Sequence, residues 1–375
     1  MKYLNEKLTT LILFLIDIIL DNSNLKNGLI PTSPRKIERD GDFIHAPGRF
    51  GFVAKDVLKQ DGDYKDYRPV GEPQNEGEDK MHCVSESFCN TIETRINYYI
   101  SLGAKATEQQ KMTLAIFKHF NLIKKVDGKE KCLISTRYVA AGSGTTVRGN
   151  SQKTVVDFIR HYGLVPKDDY PYVKSWNEYY YPANGVSING NKVPQELLDK
   201  GKKLTEYIEF NYEWVHPNDV ADTYAFGPLQ NIGFAWELPV NGIIPRTDRQ
   251  SNHAFMGDGK QSAYHQVFDS YDPFDKKVAV NFYKNYGIIV TIKVKQPLTT
   301  YNSAYINALK KKGLEYVLLV NKFENFDQGV YRLLANGIEK ANLKVMLDAG
   351  VKKLAADGKL TGISVEDFKK IINLT

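Results

Sequence analysis

Residues 79–93 read DKMHCVSESFCNTIE, and Cys83 within them decides how the rest of the chain is read. The cysteine follows a loop, Gly71 to Lys80, and opens a stretch whose apolar residues recur at Val84, Phe88, Ile92, Ile96 and Tyr99. That spacing predicts a helix with one buried stripe. The unpaired N–H groups and dipole at a helix start favour a thiolate, and so does an imidazolium beside it. An imidazole follows far downstream in NHAF as His253, and an acid follows in VFDSYDPF as Asp269. A thiol, a distant imidazole and a later orienting group are the parts of a cysteine nucleophile site. Cys89 stands about 240° round the helix from Cys83, so it faces inward as a structural residue. His82 adjoins the thiol, but helix neighbours point apart, so it is not the expected base.

The bulk composition is that of a globular protein. The chain has 375 residues, 42% hydrophobic and 25% charged, enough for two domains or one with extensions. The net charge of +6 comes from lysines spread along the sequence, with no nucleic-acid motif, so no nucleic-acid partner is expected. The 3 cysteines, Cys83, Cys89 and Cys132, make neither a disulfide framework nor a zinc site, and no cofactor or metal is expected. The fold therefore does not depend on an oxidising compartment, and the compartment itself stays open, cytoplasmic or within a larger assembly such as a viral particle. Leu11 to Leu20 is apolar but broken by Asp17. It reads as a docking helix, with a signal or anchor as the alternative.

Helices come first and strands later. Residues 22–80 are irregular, and helices are predicted from Cys83, over Thr107 to Phe120 with Thr107 as cap, and over Ser151 to Tyr162 ended by Gly163. Residues 173–203, rich in Tyr, Asn, Gly and Lys, read as an inserted loop region. Strands are predicted at Thr205–Phe210, Ile232–Leu238, Gln266–Asp269, Ala279–Phe282 and Ile288–Val294. This order argues an α+β fold with a cleft between two halves. Beyond Pro297 helical spacing returns at Ala304–Lys311 and Asp327–Lys344, and Ser364 begins a capping pattern. The expected division is 1–64 as an N-terminal extension, 65–299 as the central domain and 300–375 as a C-terminal helical region.

The motifs resemble the papain family of cysteine peptidases. DKMHCVSESFCNTIE resembles the family's cysteine helix. STRYVAAGSGTTVRGNSQKTVVDFIRHYGLVPKDDYPY (135–172) resembles its next block, a Ser-led helix, Gly-rich loop, second helix and terminal Y-P-Y. AFGPLQNIGFAWEL (225–238) resembles its Gly-Pro strand and NHAFMGDG (252–259) its histidine strand, while VFDSYDPF stands where the family has Asn-Ser-Trp. The blocks keep family order over about residues 65–295. The resemblance implies a two-lobed fold, a helical lobe and a β-barrel-like lobe, and hydrolysis of peptide bonds. It implies Cys83 as nucleophile, His253 as general acid/base and Asp269 as orienting group. It also implies Gln74 as the oxyanion donor, although Gln74 lies farther upstream of the cysteine than the family's glutamine. Gly149 and Asn150 lie where the family pairs with substrate backbone.

The departures are specific. The family's tryptophan after the cysteine is Val84 here, its asparagine is Asp269, and the tryptophan that follows is Tyr271. Asp272, before Pro273, is the competing acid but has turn chemistry. Glu72, Glu76, Glu78 and Asp79 crowd the loop before the thiol and read as a solvated acidic loop, with an acidic cleft mouth that favours basic peptide segments as the alternative. Three functions stay open: a peptidase acting on a peptide or protein substrate, a catalytically weak or inactive module docked through its termini in a larger assembly, and another thiol acyl-transfer enzyme. A membrane partner is not expected. Residues 1–64 would serve as an inhibitory propeptide or a structural arm.

Overall fold

The structure is a computed structural model and describes residues 29–30, 44–45, 57–234 and 236–295. Contacts divide the chain into two units, Met1–Ile292 and Lys293–Thr375. The apolar stretch Leu11–Leu20 and the helices expected after Pro297 lie outside the described residues. Among the described residues no helix is long and apolar enough to cross a membrane.

Two short strands precede the site, β1 (Leu29–Ile30) and β2 (Ile44–His45). Helix α1 is Cys83–Leu102, and it is buried on nearly every side rather than along one stripe. Several of its buried polar residues find partners, although Ser85 Oγ and Arg95 Nε have none. Glu93 accepts from the Ile134 N–H, Asn97 accepts from Cys132 N–H and donates to the Tyr67 carbonyl, and Arg95 donates to the Phe226 carbonyl. That last contact explains the Gly-Pro block. Gly227 has φ +150, and a Cβ there would sit 1.9 Å from the Arg95 guanidinium.

Helix α2 (Glu108–His119) starts at Thr107 with a capping box closed by Gln110. A hairpin follows, β3 (Ile123–Val126) and β4 (Lys129–Cys132), turned at Asp127-Gly128 with both residues at positive φ. Next come α3 (Thr136–Gly142) with Ser135 as cap, β5 (Asn150–Ser151), and α4 (Gln152–Tyr162) capped by Ser151 and closed by Gly163.

Residues 173–203 are more ordered than the sequence suggests. They hold α5 (Trp176–Tyr180), the hairpin β6 (Gly185–Ile188) and β7 (Asn191–Pro194), and the start of α6 (Gln195–Tyr207). Leu197, Leu198, Gly201 and Leu204 form the buried face of α6, and Gly201 lets its backbone approach Tyr162. The strand expected from Thr205 begins only at Ile208, because the helix runs through Tyr207.

The remaining strands are β8 (Ile208–Val215), β9 (Leu229–Gly233) after the one-turn helix α7 (Val220–Thr223), β10 (His253–Lys260), β11 (Tyr264–Phe268), β12 (Asp275–Ala279) and β13 (Gly287–Val294). These six and β2 form a seven-stranded sheet in the order β12-β11-β10-β9-β13-β8-β2. Its pairings from β12 to β9, and between β9 and β13, are antiparallel. One face carries a core that includes Leu229, Phe255, Val267, Phe282 and Ile289. Helices before the sheet, and α1 packed on β9 and β10, make this the α+β class.

Candidate active site

Strand register builds the site. Met256 lies opposite Phe268 across β10 and β11, so the next step along places Phe255 opposite residue 269. His253 and Phe255 share a face by strand alternation, which aims the His253 ring at the residue just past β11. There His253 Nε2 lies 2.6 Å from Asp269 Oδ1. Asp269 is fully buried, and Oδ1 also accepts the Ser270 backbone N–H at 2.7 Å.

Cys83 enters from the opposite side as the first residue of α1. His82, the residue before it, gives the helix no side-chain cap. The first-turn N–H groups therefore keep their pull on negative charge. Cys83 acts on the same imidazole and favours its charged form. With Nε2 committed to Asp269, Nδ1 is the nitrogen left for the sulfur. Burial disfavours the imidazolium, but Asp269 and then Cys83 outweigh it and hold His253 up at about 10. Burial also opposes the Asp269 carboxylate, yet His253 and Lys276 keep it below the usual range.

Aromatic rings flank the imidazole. Trp236 meets His253 edge to face at 5.2 Å, and Tyr271 lies on it at 5.2 Å. Together they shield the His253–Asp269 bond from water. Trp236 and Lys276 also line a cavity of about 470 Å³ beside the site.

Gln74 is buried, and its carboxamide is held on both ends. Its Oε1 accepts from Ser270 Oγ at 2.9 Å, and its Nε2 donates to Asp79 Oδ1 at 3.0 Å and to the Tyr271 hydroxyl. Both amide N–H groups are thus engaged. The loop acids are engaged too: Asp79 binds Gln74, the Met81 N–H and the Tyr271 hydroxyl, and the three glutamates bind the 167–176 segment. Glu72 pairs with Lys167, Glu76 with Lys174 at 2.8 Å, and Glu78 accepts from the Trp176 N–H. His82 is buried against the Tyr179 hydroxyl at 2.6 Å, and burial above all pushes it down to about 3. Cys89 is buried, and burial raises its thiol.

Gly149, at φ +81, closes a tight turn with Thr146 through reciprocal backbone bonds of 2.7 and 3.1 Å. The Asn150 side chain turns inward, donating to the Ser143 carbonyl, Ser143 Oγ and Thr145 Oγ1. The main chain at Asn150–Ser151 pairs in parallel with Leu29–Ile30. Asp272 precedes Pro273 at the turn after Asp269, and Asp269 is the acid that reaches the ring.

One feature differs from the expectation of a reachable thiol: Cys83 has 0% of its surface exposed. Sequence reasoning also missed Trp236 and Lys276. FAWEL gave a visible tryptophan without a partner, and Lys276 gave no signal, since the strand expected at Ala279–Phe282 lies instead at Asp275–Ala279.

His253 thus joins the Asp269 carboxylate and interacts with the Cys83 thiol at the start of α1, and these are residue types that nucleophilic chemistry uses. No protein-family model matches the chain, and no curated protein matches it. Among solved structures it is similar to xylellain, a cysteine protease from Xylella fastidiosa, at 12% identity and TM-score 0.44, over 70% of this chain and 96% of that one. It is similar to the ragweed pollen cysteine protease Amb a 11 in its proform, at 11% identity and TM-score 0.41, over 71% and 74%. It is also similar to procathepsin B from Trypanosoma congolense, at 11% identity and TM-score 0.41, over 71% and 87%.

Proposed function

We propose that this chain is a cysteine-type peptidase of papain-like kind, with residues 65–299 as its catalytic domain. The observation that carries the reading is the 2.6 Å contact of His253 with Asp269, with Cys83 at the start of α1 acting on the same imidazole. The Cys83 thiolate attacks the scissile carbonyl carbon, and the carbonyl electron pair moves onto oxygen. His253 gives its proton to the leaving nitrogen as the C–N bond breaks, leaving a thioester. Water then adds to the thioester, its proton returns to His253, and the C–S bond breaks to release the acid. Asp269 fixes the ring so that one nitrogen faces the sulfur throughout. Gln74, once its amide is released, and the Cys83 N–H donate to the oxyanion.

The substrate is a peptide or protein segment. The main chain at Asn150–Ser151, just past Gly149, suits pairing with an extended chain, and Leu29–Ile30 is such a chain there.

The test is hydrolysis of a denatured protein substrate by the wild type and by Cys83→Ala and His253→Ala. Each substitution should remove activity. Activity surviving in Cys83→Ala would exclude this nucleophile. One observation favours a second reading, a catalytically weak or inactive module docked in a larger assembly: the full burial of Cys83.

A further inference from the structure

We propose that Lys276 is a positioning residue for the Cys83–His253–Asp269 set, its ammonium fixing the Asp269 carboxylate on the imidazole and offsetting its charge. The proposal rests on the reading of that set given above. Lys276 Nζ donates to Asp269 Oδ2 at 2.7 Å, to the Tyr271 carbonyl at 2.7 Å and to the Pro273 carbonyl at 2.5 Å. An ammonium has three N–H donors, and all three are used. The side chain is 12% exposed, so it differs from a solvated surface lysine whose ion pair contributes little.

Register brings it there. Val267 lies opposite Lys276 across β11 and β12, and Val267 and Asp269 share a face by alternation. The tripod therefore pins the turn from 269 to 276 at three points. That turn also carries Ser270, which holds Gln74, and Tyr271, which lies on the His253 ring.

The charge argument is independent of the tripod. A buried carboxylate with no cation beyond the imidazolium would bind the His253 proton too tightly for release to the leaving nitrogen. Lys276 sets a positive charge on the far carboxylate oxygen and weakens that grip. The charged or titratable groups facing His253 are Asp269, Cys83 and Tyr271, with Lys276 behind Asp269. Lys65, Glu237, Asp275 and Lys277 line the cavity beside Lys276. Removing one positive charge raises the proton affinity of every neighbour. Both limbs of the pH–activity profile should therefore move to higher pH in Lys276→Met, with kcat/KM at neutral pH falling about tenfold. Lys276→Arg, which keeps the charge, should restore the limbs.

The experiment follows peptidase pH profiles together with NMR titration of the Asp269 carboxyl and the His253 imidazole in the wild type, Lys276→Met and Lys276→Arg. Upward shifts of both NMR midpoints in Lys276→Met, reversed in Lys276→Arg, are expected. A folded Lys276→Met with unmoved midpoints overturns the proposal. Lys276→Gln, neutral but still able to hydrogen-bond, takes its place if the Met variant does not fold. If the midpoints shift as stated while the wild type hydrolyses no peptide, the positioning role stands and the peptidase reading falls.

Discussion

His253 and Asp269 meet at 2.6 Å because β10 and β11 pair in a register that puts both on one face. Burial alone would discharge the imidazole, and it is the partners, Asp269 and then Cys83, that hold it up at about 10. A group whose folded value is raised stabilises the fold fully below its unfolded value. That contribution is lost as pH rises through the folded value. The stability advantage of the wild type over His253→Gln should therefore be largest near pH 6 and shrink between about 6.5 and 10, by an amount on the order of a few kcal/mol. Urea unfolding at a series of pH values measures it, and a difference flat across that window would contradict the ion-pair geometry.

Gln74 spends both amide N–H groups on Asp79 and Tyr271. If it serves the oxyanion, Gln74→Ala should lower kcat about 100-fold, near 3 kcal/mol, with little change in KM. Asp79→Ala should free one N–H and raise kcat. Steady-state kinetics of both variants decide the point, and an unchanged kcat in Gln74→Ala would take the glutamine out of the chemistry.

Leu29–Ile30 occupies the edge at Asn150–Ser151. Removing residues 1–56 should vacate that edge, raise kcat/KM and speed modification of Cys83. Cleavage of an extended peptide by the shortened and full chains tests this. Equal rates, or loss of the folded state on truncation, would make the segment a structural arm.

Glu86 is buried on α1, where Thr136 Oγ1 donates to it at 2.5 Å. Burial and then Glu72 raise its carboxyl from 4.5 to about 8. The folded state thus holds a proton that the unfolded chain releases, and stability falls as pH rises from 4.5 to 8. Glu86→Gln keeps the hydrogen bonding without the charge and should flatten that slope, with a gain of about 1 kcal/mol or more above pH 8. Thermal unfolding at pH 5 and pH 8.5 reads it out, and an unchanged pH slope would show that Glu86 stays ionised.

Local signals made the helices around the site legible. Ser151 and Gly163 bracket α4, and Thr107 with Gln110 opens α2, because caps act within a few residues. The histidine strand and the acid past β11 were legible through ordered motifs. Helix α6 was hidden by Asn, Lys and Gly around the stripe Leu197, Leu198 and Leu204. The partners of Gln74 lie on the far side of the sequence, at Ser270 and Tyr271, and no local spacing encodes them. The full burial of Cys83 is likewise a property of tertiary packing rather than of its neighbours in the chain.

The most direct test of the account is site-resolved labelling of Cys83, Cys89 and Cys132 by a thiol-directed epoxide at neutral pH, in the full chain and in the chain lacking residues 1–56. The account predicts modification of Cys83 alone, faster in the shortened chain and much slower in His253→Ala. Cys83 reacting in both chains no faster than a free cysteine would contradict it.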